Sequence, residues 1–156
     1  NTATLTVTAA TPTAAKAFAP ATITAGGTST VTITLANTNG VALTNAGFTD
    51  TLANMSIAAA GAAGGTCVGA NTNTFTAGQT ALAITGLTVP ANGSCTVTFV
   101  VTSNVPGVQP NATSGVSSNQ AATGTVSNTA NLTVTAAVPT ITEGLRARGY
   151  SFTSVC

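Results

Sequence analysis

A lysine, an aspartate and an asparagine of this chain are of the types that can form a covalent amide cross-link. Lys16 is the only lysine and Asp50 the only aspartate, and the asparagine of the predicted closing strand is Asn128. Burial favours a neutral lysine amine, which can attack an asparagine carboxamide as a nucleophile. A protonated carboxylic acid beside the amide would polarise it. Lys16, Asn128 and Asp50 are therefore a candidate isopeptide site.

Two other arrangements of these residues remain open from the sequence. Lys16 and Asp50 can form a simple buried ion pair, whose net contribution to stability is near zero. Alternatively, Lys16 lies on a solvated strand edge and Asp50 caps a turn. Asn1 occupies the same triplet as Asn128 and would make the bond intermolecular if it met the Lys16 of a neighbouring copy.

The rest of the composition argues against catalysis and metal binding. The chain has no histidine and only two acidic residues. A serine or cysteine nucleophile would lack a general base, and glycoside chemistry would lack its pair of carboxylates. There is also no cluster of hard oxygen ligands for calcium and no Cys/His set for zinc. We expect a protein that is not an enzyme, with no cofactor and no metal site.

Charge and hydropathy indicate an exported protein. Charged residues make up 3% of the chain and the net charge is +1, without the basic cluster that a nucleic-acid partner requires. The sequence contains no run of about 20 apolar residues, the length that a membrane-spanning helix needs. A surface of Thr and Asn without mixed charge suits secreted, glycosylated or polymer-forming proteins, so we expect an extracellular, cell-surface location. Glycans are candidate partners at four sequons: Asn54, Asn92, Asn111 and Asn131.

The first thirteen residues recur near the end of the chain. Residues 1–13 read NTATLTVTAATPT and residues 128–140 read NTANLTVTAAVPT, with eleven of thirteen positions identical at an offset of 127. Both copies alternate Leu or Val with Thr, as in a strand with one buried face. We interpret residues 1–13 as a linking or donor strand that resembles the closing strand of a preceding repeat. Residues 14–140 are then one domain and residues 141–156 a C-terminal extension.

The domain is predicted to be all-β. Thr28 to Ala36 alternates most clearly, with Val31, Ile33 and Leu35 facing inward. Cys95 to Thr102 is a second alternating strand, Thr123 to Ala136 closes the domain, and Gly61 to Gly65 is a flexible loop. Short strands separated by Gly and Asn turns favour an immunoglobulin-like antiparallel β-sandwich with an extra N-terminal strand. A jelly roll is the alternative.

Several linked segments then point to a family. The stretch KAFAPATITAGGTSTVTITLANTNGVALTNAGFTDTL is followed in order by TCVG, PANGSCTVTF and SNTANLTVT. Together they resemble a conserved Ig-like tandem repeat domain of bacterial surface and secreted proteins, a family of largely unknown function. The resemblance implies a β-sandwich spacer or fibre module and names no substrate. The order of Lys16, Asp50 and Asn128 is also similar to that in Ig-like domains of bacterial pili and adhesins that carry a Lys–Asn cross-link.

The cysteines fit export. Cys67 and Cys95 each border a predicted strand, and an oxidising compartment would allow them to pair. The family motifs surround both, so the resemblance implies a disulfide between them, the alternative being two buried free thiols. Cys156 is left over, either as a bridge to another chain or as a free terminal thiol.

The doubled strand predicts assembly. An apolar strand without a domain of its own is a template for another chain, and strand addition is a known mode of association. We expect Leu5 and Val7 to insert into a neighbouring copy, or into a neighbouring repeat, and to build a homopolymer head to tail. The predicted function is a structural subunit or repeat module of an extracellular bacterial filament or surface array. The alternative is an adhesin or ligand-binding Ig-like domain.

Overall fold

The computed structural model describes residue 3 and residues 8–138, and the all-β prediction is confirmed for them. One short 3-10 helix, Ala70–Thr72, is the only helical element in this part of the chain. The remaining elements are eleven strands: β1 (Thr13–Ala19), β2 (Thr22–Thr24), β3 (Thr28–Asn37), β4 (Leu43–Thr51), β5 (Ser56–Ile57), β6 (Gly61–Ala62), β7 (Thr74–Phe75), β8 (Ala81–Val89), β9 (Gly93–Thr102), β10 (Gly107–Asn111) and β11 (Ala130–Thr135).

The strands form several sheets in a sandwich-like arrangement. The largest sheet has the order β1-β3-β9-β5 and is antiparallel throughout. A second sheet has the order β10-β11-β2, in which β11 pairs with β10 antiparallel and with β2 parallel. The pairs β4-β8 and β6-β7 complete the fold. Strand β11 is thus held on both edges.

The core is formed by the side chains that the alternating sequence pattern predicts to face inward. Val31, Ile33 and Leu35 of β3 are each 0% exposed, as expected. In the register of β3 and β9, Val31 lies opposite Phe99 and Ile33 opposite Val97. Because side chains of a strand alternate between its two faces, these positions line one face of the sheet and leave the Thr residues between them on the other.

Two predicted segments differ from the structure. Gly61 to Gly65 is not a free loop, because β6 pairs with β7 and Gly64 exchanges two backbone hydrogen bonds of 2.9 Å with Thr98 of β9. Gly65 packs so closely on β9 that an added Cβ would lie 2.2 Å from the Thr96 carbonyl oxygen. The closing strand begins at Ala130 rather than at Thr123.

In the long connection from β10 to β11, two backbone segments lie so close together that a side chain at the contact should destabilise the fold. A Cβ at Gly115 would lie 1.9 Å from the carbonyl oxygen of Gly124. We expect Gly115→Ala to lower the free energy of unfolding by about 1–3 kcal/mol, because backbone atoms must move apart. In Gly40→Ala the new Cβ meets no atom within 4 Å, so this control should shift stability by less than about 1 kcal/mol. Equal denaturant midpoints for the two variants would contradict this close contact between Gly115 and Gly124.

No helix among the described residues has the length and apolar character needed to cross a membrane.

Candidate cross-link site

Strand β1 directs its lysine into the interior. The burial of β1 alternates, and Lys16 and Phe18 are its two buried residues, 4% and 8% exposed. Since these positions are two apart, both side chains lie on the same face of the strand. The Lys16 Nζ atom is 5.7 Å from the centre of the Phe18 ring. An apolar strand pattern therefore carries the only lysine of the chain into the core.

Two other strands bring polar groups to the same point. Asp50 is in β4 and is 2% exposed, and Asn111 is the last residue of β10 and is 6% exposed. Lys16 Nζ donates to Asp50 Oδ2 and to Asn111 Oδ1. Asn111 Nδ2 donates to Asp50 Oδ1 over 2.9 Å and to the Thr51 carbonyl oxygen over 2.8 Å. The amine, the carboxylate and the carboxamide form a closed triangle in which each contacts the other two.

The structure places the predicted partner Asn128 elsewhere. Asn128 is exposed, and its carboxamide pairs with the backbone of Lys16. Its Oδ1 accepts from the Lys16 amide over 2.7 Å, and its Nδ2 donates to the Lys16 carbonyl oxygen over 3.0 Å. The lysine amine instead contacts the Asn111 carboxamide. Lys16 and Asp50 are therefore brought together as predicted, but the carboxamide at the amine belongs to Asn111 and not to Asn128.

The Asn128 side chain hydrogen-bonds to the backbone of β1 as a neighbouring strand would, and this gives a second prediction. Asn128→Ala removes two hydrogen bonds to the Lys16 backbone and should lower the free energy of unfolding by about 1–3 kcal/mol. Asn131 is exposed and no hydrogen bond of its side chain occurs within residues 8–138, so Asn131→Ala should change stability by less than about 0.5 kcal/mol. Denaturant unfolding of both variants measures this difference. Similar values for the two would show that the Asn128 contacts are not maintained in solution.

Sequence reasoning missed Asn111. Its only sequence signal is the sequon Asn-Ala-Thr, which made it one of four candidate glycan sites. The structure buries this side chain, whereas the sequon residues Asn54, Asn92 and Asn131 are exposed. Thr113, the third residue of the sequon, lies directly opposite Asp50 in an isolated β-bridge and is 2% exposed. The sequon therefore marks part of the wall around the cluster.

The predicted disulfide is present. Cys67 Sγ and Cys95 Sγ are 2.03 Å apart, with a Cα–Cα distance of 4.8 Å. The bond ties the segment after Gly65 to β9. Three other predicted residues, Leu5, Val7 and Cys156, lie outside the described part of the chain. Across residues 8–138, no group of three or more His, Cys, Asp or Glu side chains is placed to hold a metal ion.

Comparison with known proteins assigns the family. A family model described as a domain of unknown function, DUF7933, matches residues 12–134. The chain belongs to the DUF7933 family. Among curated proteins, none matches it.

One solved structure similar to this DUF7933 protein is Pseudomonas fluorescens alkylpurine DNA glycosylase AlkC bound to DNA containing an abasic site analog. The sequence identity is 13% and the TM-score 0.42, and the match covers 81% of this chain and 31% of the glycosylase chain. This chain therefore spans less than a third of the length of that protein, and the TM-score is too low for the likeness to support an argument.

The DUF7933 domain places its only two charges in this cluster. Residues 12–134 contain Lys16 and Asp50 as their sole formally charged side chains, and both side chains are 0% exposed. Burial lowers the pKa of the Lys16 ammonium, while the Asp50 charge and its hydrogen bond raise that pKa and oppose the effect of burial. Both charges therefore lie in the core, where burial costs free energy that the ion pair and its hydrogen bonds offset.

Proposed function

We propose that this DUF7933 domain is an Ig-like structural module of an extracellular bacterial filament or surface array, and that its units join head to tail through a shared closing strand. The observation that carries the proposal is the environment of β11. Leu132 and Val134 of β11 are 0% and 2% exposed, and the strand is held between β10 and β2. Residues 1–13 repeat the sequence of residues 128–140, with Leu5 and Val7 at the matching positions.

The repeated segment is suited to the same position in another unit. In β11 the residues on either side of the buried pair, Asn131 and Thr135, are exposed. The first copy has the same alternation, so it fits the β11 position of a neighbouring unit with its apolar side chains inward. The neighbour is either the preceding repeat of the same chain, whose closing strand residues 1–13 would be, or a second copy, in which the segment would have to displace that copy's own β11 from between β10 and β2. A contact of this kind is heterologous and propagates in one direction.

The end of the N-terminal segment is fixed to its own domain. The Ala10 amide donates to Asn39 Oδ1, and Asn39 Nδ2 donates to the Ala10 carbonyl oxygen, both over 2.8 Å. Pro12 is buried, and a Cβ at Gly124 would lie 2.0 Å from its carbonyl oxygen. Because residues 10–12 are anchored, the point at which the chain enters the domain is set by the fold. A regular array requires such a fixed junction.

The surface and the disulfide support an extracellular location. The charged side chains within residues 12–134 are both buried, so the surface of the family domain has no formal charge. The Cys67–Cys95 disulfide persists in oxidising compartments and is rare in the cytosol.

Deleting residues 1–10 tests the assembly. The native chain should form filaments or higher oligomers, detectable by light scattering and electron microscopy, and the deleted chain should remain monomeric. A double variant with Leu5→Asn and Val7→Asn should abolish assembly. The control is the double variant with Thr4→Asn and Thr8→Asn, which should preserve assembly. Assembly that survives both the deletion and the Leu5/Val7 pair would refute strand sharing. A native chain that stays monomeric under all conditions would favour the adhesin alternative.

A peptide experiment tests the proposed β11 position directly. The acceptor is a chain without residues 1–10 that carries Leu132→Asn and Val134→Asn, which weakens its own closing strand. A synthetic peptide of residues 1–13 should raise its thermal midpoint, since a ligand that binds only the folded state stabilises it. The same peptide with Leu5→Asn and Val7→Asn should have no effect. Equal effects of the two peptides would contradict the proposed position.

A further inference from the structure

We propose that Lys16 and Asn111 are joined by an intramolecular isopeptide bond, Nζ to Cγ, which the folded chain forms by itself with Asp50 as its acid–base group. This inference rests on the buried cluster and does not depend on how the units assemble. It assigns a covalent modification to the centre of the domain.

The geometry supplies each component that the reaction needs. The nucleophile, Lys16 Nζ, contacts the carboxamide of Asn111 and the carboxylate of Asp50 at once. The leaving nitrogen, Asn111 Nδ2, is 2.9 Å from Asp50 Oδ1. All three residues are at most 6% exposed, so water is excluded and the reacting groups are held in place by three different strands.

Proton transfers through Asp50 balance the reaction. Nζ starts with three protons and gives one to Asp50 Oδ2, which produces a neutral amine and a neutral carboxylic acid. The amine attacks Asn111 Cγ, and Asp50 passes its proton to Nδ2 as the Cγ–Nδ2 bond breaks. Asp50 then takes a second proton from Nζ. The new amide keeps one hydrogen, ammonia leaves with three, and no oxidant or other reactant is required.

Burial makes the first proton transfer accessible. Desolvation lowers the pKa of Lys16, although the charge of Asp50 and its hydrogen bond partly oppose this shift. An ammonium and a carboxylate in a dry site are costly compared with the same pair in neutral form. The neutral pair is also the reactive one, because only a free amine is a nucleophile.

Asn111 is the electrophile rather than Asp50 or Asn128. A carboxylate resists attack by an amine because it is negatively charged and has no good leaving group. The Asn128 carboxamide is hydrogen-bonded through both of its polar atoms to the backbone of Lys16. Within residues 8–138, the Asn111 carboxamide is the one that contacts the amine, and its leaving nitrogen lies beside the Asp50 carboxyl group.

The bond would connect two sheets. Lys16 is in β1, at the edge of the four-stranded sheet, and Asn111 is in β10, at the edge of the three-stranded sheet. A link between them closes the chain from residue 16 to residue 111, and the Cys67–Cys95 disulfide lies within that loop. Most of the core strands would then be covalently enclosed.

Intact mass measurement of the purified full chain, denatured before and after reduction, tests the proposal. The non-reduced chain should be lighter than its sequence mass by one ammonia and by the two hydrogens of the disulfide, and reduction should restore only the hydrogens. Asn111→Ala and Asp50→Asn should each lack the ammonia loss, while Asn128→Ala should retain it. A reduced native chain with the full sequence mass would overturn the proposal. A loss of water instead of ammonia would also overturn it, because the bond would then be to Asp50.

Trypsin digestion gives an independent result that needs no variant. Lys16 is the only cleavage site before Arg146, and trypsin does not cut after an acylated lysine. The denatured and reduced native chain should therefore stay intact from residue 1 to residue 146, while the Asn111→Ala chain should release a peptide of residues 1–16. Release of that peptide from the native chain would refute the bond, and fragmentation that links Lys16 to a residue other than Asn111 would refute the assignment.

Discussion

The double substitution Lys16→Met with Asp50→Leu should lower the free energy of unfolding more in the native chain than in a chain that already carries Asn111→Ala. The expected difference between the two losses is about 4 kcal/mol. The comparison isolates the cross-link, because only the native chain can form the bond. A link from residue 16 to residue 111 closes a loop of 111 − 16 = 95 positions in the unfolded state. Loops of this size reduce the entropy of the unfolded chain by an amount worth about 4–5 kcal/mol, and the disulfide inside the loop shortens it slightly.

Without the bond, the same substitutions have a different effect. Exchanging a buried ion pair for apolar side chains of similar size is often neutral or stabilising by about 1–4 kcal/mol. The Lys16→Met/Asp50→Leu pair should therefore leave the Asn111→Ala chain as stable as before, or more stable. In an uncross-linked protein, the coupling between the pair and Asn111 would reflect hydrogen bonds alone, about 1–3 kcal/mol.

The measurement is a double-mutant cycle from denaturant unfolding of the four chains, with the disulfide kept intact. Intact mass establishes which of the four carry the bond. A coupling free energy below about 3 kcal/mol would show that no cross-link constrains the unfolded state. The cycle also separates the cost of the buried charges from the effect of the loop, which a single substitution cannot do.

Removing the Cys67–Cys95 disulfide should lower the free energy of unfolding by about 3–4 kcal/mol, the second-largest effect that we expect. The two cysteines are 28 positions apart and are 5% and 4% exposed. The loss arises mainly from the larger entropy of the opened unfolded chain. The variant is Cys67→Ala with Cys95→Ala, made in a Cys156→Ser background so that a third thiol cannot exchange with the pair.

The control for this prediction is the Cys156→Ser chain with its disulfide intact, compared with the same chain after reduction under denaturing conditions. Reduction and the double alanine substitution should lower the denaturant midpoint by similar amounts, because both open the same loop. A loss below about 1 kcal/mol for the double variant would mean that the unfolded chain is already constrained across this region.

Local patterning in the sequence was sufficient to identify the clearly alternating strands and their inward faces. Alternation predicted β3 and β9, and Val31, Ile33 and Leu35 are fully buried. The pairing of Cys67 with Cys95 was likewise accessible, because each borders a strand and the motifs around both resemble a disulfide-bearing repeat. These features depend on neighbours two residues apart or on the chemistry of a rare residue type, and both are visible along the chain.

Local patterning did not reveal the packing between segments. Gly61 to Gly65 has the composition of a flexible loop, yet Gly64 bridges to Thr98 and Gly65 lies against the backbone of β9. The absence of a side chain at these positions serves close approach to another strand rather than freedom of motion. Which of the two roles a glycine has depends on what lies beside it in space.

The same distinction decides the cross-link site. The sequence identified Lys16 and Asp50 because each is the only residue of its type, but it offered several asparagines and favoured Asn128 in the closing strand. Asn128 does lie beside Lys16, but its carboxamide is hydrogen-bonded to the backbone of that residue. Only the stacking of the sheets and the register of β10 bring Asn111 to the lysine amine, because alternation fixes the face of a strand but not the partner which that face meets.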